Sequence, residues 1–94
     1  MNAEKIRFSI LDKMIRLNLW SKRHILEENL LKGAVPRAHW EQARNAIKTL
    51  VQEGFVIIYG RTKHGIAYQL NASKRKEIHE DNNLYISREG VKET

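Results

Sequence analysis

Ninety-four residues carrying a net charge of +6 are enough for one small domain, which buries only about 60–65% of its unfolded surface and has no room for a second lobe or a deep substrate cavity. Apolar residues make up 41% and charged residues 30%, the balance of a soluble globular chain. No run of about 18 apolar residues exists to span a bilayer, Glu4, Lys5, Arg7 and Asp12 interrupt any N-terminal signal segment, and the lack of cysteine excludes disulfides, a thiolate nucleophile and a cysteine zinc site. A cytoplasmic protein with no membrane association and no cofactor is expected. The charge is uneven: residues 1–35 are net +3, residues 36–79 net +5 and residues 80–94 net −2, so a field that attracts polyanions belongs mainly to the middle of the chain.

The first predicted element is a helix from Ala3 to about Leu17. Ile6, Ile10, Met14 and Leu17 recur at helical spacing, and Phe8, Leu11 and Ile15 form a second row beside them. The two rows cover about half the circumference, wider than the ~100° stripe of a simple surface helix. Such a helix is either central to the core or has a face for a partner chain. Asn18-Leu19-Trp20-Ser21 then breaks the pattern; Leu19-Trp20 is a candidate short strand, and Ser21 a candidate N-cap for a second helix over Lys22–Lys32. Gly33 stands where that helix would end in a left-handed residue, and Pro36 marks the turn that follows.

A third, longer helix is predicted from Pro36 or Arg37 to Glu53, stopped by Gly54. Trp40, Ala43, Ile47, Leu50 and Val51 cluster on one side. The opposite arc holds Arg37, Ala38, Glu41, Gln42, Asn45, Lys48, Thr49 and Gln52, with Arg44 at its margin, a face rich in groups that hydrogen-bond to bases or phosphates. Phe55–Tyr59 and Ile66–Leu70 read as two strands of a hairpin. A loop over Arg61–Gly65 pairs Gly60 with Ile66, Ile58 with Tyr68 and Val56 with Leu70, which gives one continuous apolar face. After Asn71, a candidate N-cap, a short helix over Ala72–Glu80 is expected, and Asn82–Thr94 is expected to fray or to dock on a partner.

The order helix, helix, longer helix, hairpin resembles the winged helix-turn-helix family of small single-domain archaeal and bacterial transcriptional regulators. The resemblance lies in Trp40–Leu70, in the spacing of Ala43, Ile47, Leu50, Gly54, Phe55 and Val56 and in the returning strand GIAYQLN. It implies an α+β fold, with the winged domain over residues 1–71 and a short helix and partly disordered tail over 72–94. It also implies duplex DNA as partner. The helix of about 37–53 would enter the major groove, where Arg37, His39, Gln42 and Asn45 would meet base edges while Arg44 and Lys48 grip phosphates. The hairpin of 55–70 would be the wing, laying Arg61, Lys63 and His64 on the adjacent backbone. A homodimer through the first helix or the C-terminal segment would suit palindromic half-sites.

Enzyme chemistry is not expected. The four histidines lack metal-ligand spacing, no serine lies in a nucleophile-elbow context, and the adjacent carboxylates Glu27-Glu28 and Glu80-Asp81 read as solvated surface. The second reading is a winged-helix protein-interaction module without DNA binding. A third, single-strand or RNA binding, has Tyr59 as its one aromatic candidate.

Overall fold

The computed structural model describes residues 1–90 and is an α+β chain of four α-helices and one three-stranded antiparallel sheet. Helix α1 spans Ala3–Arg16 and opens on Asn2, whose side chain accepts from the Lys5 amide at 2.8 Å, satisfying one of the free first-turn donors. Its Ile6, Ile10, Leu11 and Met14 are buried, so the broad apolar arc makes α1 the centre of the core. Phe8 in the second row stacks on Tyr85 with ring centroids 4.3 Å apart. Much of the surface that the sequence offers to a partner chain is thus covered by the chain's own C-terminal helix.

The segment after α1 differs from its sequence reading. In place of a helix over Lys22–Lys32, residues 21–24 form a turn and loop, Ile25–Leu26 form strand β1, and only Glu27–Leu31 is helical, as α2. Ser21 is not an N-cap; it has φ +58 in the turn. Leu26 precedes α2 with no side-chain cap. The competing force is tertiary. Ile25 and Leu26 pair with Tyr68 and Ala67, giving the β3 edge partners that it would otherwise lack. The third strand therefore comes from Ile25–Leu26, while Trp20 makes only an isolated bridge with Leu70. Leu30 and Leu31 are buried as expected. The Lys13 ammonium donates to the carbonyls of Asn29 and Lys32 at the end of α2, the kind of cation a helix C-terminus favours.

The helix expected from residue 36 or 37 starts later: Pro36 leads into a 3₁₀ turn, Arg37–His39, and helix α3 runs only over Trp40–Gln52. Ala43, Ile47 and Leu50 are buried. Gly54 ends the element with φ +82, a conformation costly for any residue with a Cβ. Strands β2, Val56–Thr62, and β3, Gly65–Leu70, complete the sheet in the order β1-β3-β2. The pairs Val56 with Leu70 and Ile58 with Tyr68 are those expected. Beyond them the register slips by one: Gly60 faces Ala67, Arg61 faces Ile66 and Thr62 faces Gly65. A bulge at Tyr59–Gly60 absorbs the extra residue, so the strands run to a two-residue tip, Lys63-His64, instead of opening into a five-residue loop.

Asn71 caps as expected, accepting from the Ser73 amide. The helix that follows is longer than expected: α4 runs from Arg75 to Glu89 and closes on Gly90. Arg7 of α1 holds it through Asp81 at 3.1 Å and reaches Glu53, beyond α3, at 2.6 Å. Ile78 is fully buried, and Arg88 pairs with Glu4. Residues 91–94 of the expected tail lie outside the described residues. Among the described residues no helix is long and apolar enough to cross a membrane.

Candidate nucleic-acid interface

The outward face of α3 is exposed along its length, from Arg37 and Ala38 through Glu41, Gln42, Arg44, Asn45 and Lys48 to Thr49 and Gln52. The tertiary structure divides this face into two flanks of different chemistry. On one, Gln42, Asn45 and Thr49 border a cleft of about 480 Å³ whose other wall is Ala3, Glu4 and Arg7 of α1. On the other, Arg44 turns toward the sheet and binds Glu27 at 3.3 Å. The amides that would read base edges and the cation that would hold a phosphate therefore point to opposite sides of the helix.

At the start of α3 two polar side chains, Arg37 and His39, are already positioned by neighbours. The Arg37 guanidinium lies 4.6 Å from the centre of the Trp40 ring, a cation–π arrangement that orders the side chain without neutralising it. Trp40 is itself fixed by a 2.9 Å bond from its indole N–H to the Val35 carbonyl. His39 is half-buried, with Nδ1 3.0 Å from Gln42 Oε1; the amide oxygen accepts, so the imidazole donates from Nδ1. Lys48 is exposed and has no ion-pair partner among the described residues.

The bulge decides where Arg61 goes. In an unbroken strand Arg61 would share a face with Ile57 and Tyr59, since side chains alternate. The extra residue reverses the alternation, so Arg61 pairs with Ile66 and shares the face of Ile66 and Tyr68. The Tyr68 hydroxyl donates to Glu27 Oε1 at 3.0 Å, while Glu27 Oε2 holds Arg44. Burial first, then the charge and hydrogen bond of Glu27, push the Tyr68 hydroxyl up to about 12, with the positive charge of Arg61 acting in the opposite direction. Glu27 thus ties the Arg44 flank of α3 to the hairpin, and Arg61 stands at the far side of the same cluster.

At the tip, Thr62 Oγ1 donates to the Gly65 carbonyl at 3.0 Å and accepts from the His64 amide at 3.1 Å. Neither Lys63 nor His64 has positive φ, whereas Gly65 is at +122. The tip is therefore not one of the primed two-residue turns, and Gly65 supplies the backbone freedom instead. Lys63 and His64 are exposed.

The candidate residues accordingly fall into groups: Gln42 and Asn45 at the α1 side with His39 bonded to Gln42, Arg44 and Arg61 around Glu27 and Tyr68, Lys63 and His64 at the tip, and Lys48 exposed on the outer face of α3. Arg37 lies over the Trp40 ring, which Arg44 also approaches at 6.0 Å. Sequence reasoning missed Glu27, read as solvated surface, and the bond from the Tyr68 hydroxyl to it; Tyr68 itself lies on the buried face as expected. It also missed the turn Lys22-Arg23-His24, hidden inside a predicted helix. A signal existed: residues 13–26 and 54–76 contain no aspartate or glutamate, and these are the stretches that the sheet brings together. Comparison with protein-family models, with curated proteins and with solved structures gives no match to this chain.

Proposed function

We propose that this chain is a duplex DNA-binding protein with a winged helix-turn-helix layout that acts as a transcriptional regulator. In this reading α3 lies in the major groove and the β2–β3 hairpin is the wing on the adjacent backbone. The observation that carries it is the Arg61 reversal: the bulge turns a hairpin cation onto the side where Glu27 holds Arg44 of α3. Arg44, Arg61 and the basic tip thereby stand on one side, with Glu27 between the first two, so a ligand crossing both elements would meet cations at each end and compete with Glu27 for Arg44.

Roles follow from the geometry. Lys48, Arg61 and Lys63 are exposed cations that would neutralise phosphates, and Arg44 would join them on leaving Glu27. Gln42 and Asn45 carry amides able to pair bidentately with adenine, and Arg37, ordered by Trp40, has the fork that matches guanine or a phosphate. A homodimer would use the outer side of α4, where Leu84 is 70% exposed.

The test is fluorescence anisotropy with mixed-sequence duplex DNA over a series of salt concentrations, for the wild type and for Arg61→Ala/Lys63→Ala. Loss of two phosphate contacts lowers the slope of log K against log salt by about 1.8. An unchanged slope removes the hairpin from the interface. Negligible binding of the wild type at low salt overturns the DNA reading and leaves protein interaction in its place.

A further inference from the structure

The sheet face turned away from α3 carries a second feature that duplex binding does not use. Tyr59 and His24 stack with ring centroids 4.0 Å apart and planes 7° from parallel, yet Tyr59 remains 50% exposed and His24 is exposed too. The pair is held in advance. Gln69 Nε2 donates to the carbonyls of Ser21 and Arg23, fastening the 21–24 turn to β3, while the bulge anchors Tyr59 on this face as it removes Arg61 from it. Lys22 and Arg23 immediately precede His24 in the same turn, exposed and without ion-pair partners among the described residues. No carboxylate occurs in residues 13–26 or 54–76, so the segments forming this face bring no negative charge beside the exposed ring.

We propose that this face is a separate site for single-stranded nucleic acid, in which an unpaired base stacks on the Tyr59–His24 pair and its phosphates meet Lys22 and Arg23. Every base has a π-face, so such a platform selects unpaired strands without reading their sequence. A duplex keeps its bases in the stack and cannot supply the ring contact. The site lies on the opposite side of the sheet from Tyr68 and Arg61 and stands independently of the duplex reading.

The experiment uses the full chain with fluorescein-labelled dT12, the matching rU12 and, as a phosphate polymer without bases, inorganic polyphosphate. Tyr59→Ala should weaken binding of the labelled strands about ten-fold or more and leave polyphosphate affinity unchanged. Tyr59→Phe should stay within about two-fold of wild type, because the ring remains. His24→Ala, which leaves the strand untouched, should weaken strand binding in the same sense as Tyr59→Ala. A larger loss for rU12 than for dT12 would assign the site to RNA, and an equal loss to single strands of either kind. Wild-type affinity of Tyr59→Ala for both strands overturns the proposal, as does an equal loss of polyphosphate. Duplex affinity measured on the same variant should not change, so failure here is distinguishable from failure of the duplex reading.

Discussion

Two tyrosines of one hairpin have opposite fates. Tyr68 is 4% exposed, its ring in the core and its hydroxyl on Glu27; Tyr59 is 50% exposed, its ring against His24. Residue type does not separate them. Parity does: Ile58, not Tyr59, sits opposite Tyr68, so the two rings leave the sheet on different sides. A tyrosine has an apolar body and a polar end. The inner face uses both, burying the ring and bonding the hydroxyl to the acid that also holds Arg44. The outer face leaves a ring to solvent among cations. One hairpin thus presents two surfaces of different chemistry, and the bulge assigns Arg61 to the inner one.

The sharpest way to test that contrast is to truncate an apolar residue on each face. Leu70 is 1% exposed and Ile57 is 38% exposed. Leu70→Ala should cost about 2–5 kcal/mol, whereas Ile57→Ala should cost under about 1 kcal/mol; urea unfolding midpoints at unchanged m distinguish the two. Equal costs would mean that the outer face is packed as tightly as the core.

A smaller effect is expected at the junction of α3 and the hairpin. Glu27→Gln keeps an acceptor for the Tyr68 hydroxyl and releases Arg44 from its carboxylate. On the duplex reading this adds up to one phosphate contact and steepens the slope of log K against log salt by about 0.9. A slope that falls would show that Glu27 supports the bound geometry more than it competes for the cation.

The smallest effect is a pH dependence. The Tyr68 hydroxyl is raised from the ordinary 10.0 to about 12, so the folded chain holds this proton more tightly than the unfolded one. Its contribution to stability is complete below pH 10 and is lost as pH rises toward 12. Tyr68→Phe has no such proton. The difference in stability between wild type and Tyr68→Phe should therefore be flat below pH 10 and change against the wild type between pH 10 and 12, as read by urea unfolding at each pH. A difference that stays flat through pH 12 would remove the hydroxyl from the inner cluster.

The parts legible in the sequence are those whose pattern and packing partner agree. Helix α1 and the α3 core side follow from apolar spacing, and Gly54 marks the helix end because a left-handed residue is needed there. The base of the hairpin follows from one buried face. The helix over Lys22–Lys32 failed because a local periodicity was overridden by the open β3 edge, which recruited Ile25 and Leu26. In α4 the opposite happened. Its inward line runs Ile78, Asn82 and the half-buried Tyr85 at helical spacing, but an asparagine stands where an apolar residue would announce it. The partners that fix the helix, Arg7, Phe8 and Asp12, lie about seventy positions earlier.

The candidate site divides in the same way. Exposure of Gln42, Asn45 and Lys48 on one side of α3 was readable, because a helix period fixes which residues face outward, whereas Arg37 falls in the 3₁₀ turn before it, not in the helix expected from residue 36 or 37. Glu27 was not, since its role exists only where α2, α3 and β3 meet.

By itself, then, the sequence determined the helical core, the basic character of the middle of the chain and the existence of a hairpin, all consequences of spacing and composition along a few turns. Only the tertiary structure decided the strand register, the bulge, the pairing of Arg44 with Glu27 and the side of the sheet on which Arg61 emerges. A shift of one residue reverses every side chain beyond it. That choice depends on contacts between distant segments, so no local pattern contains it.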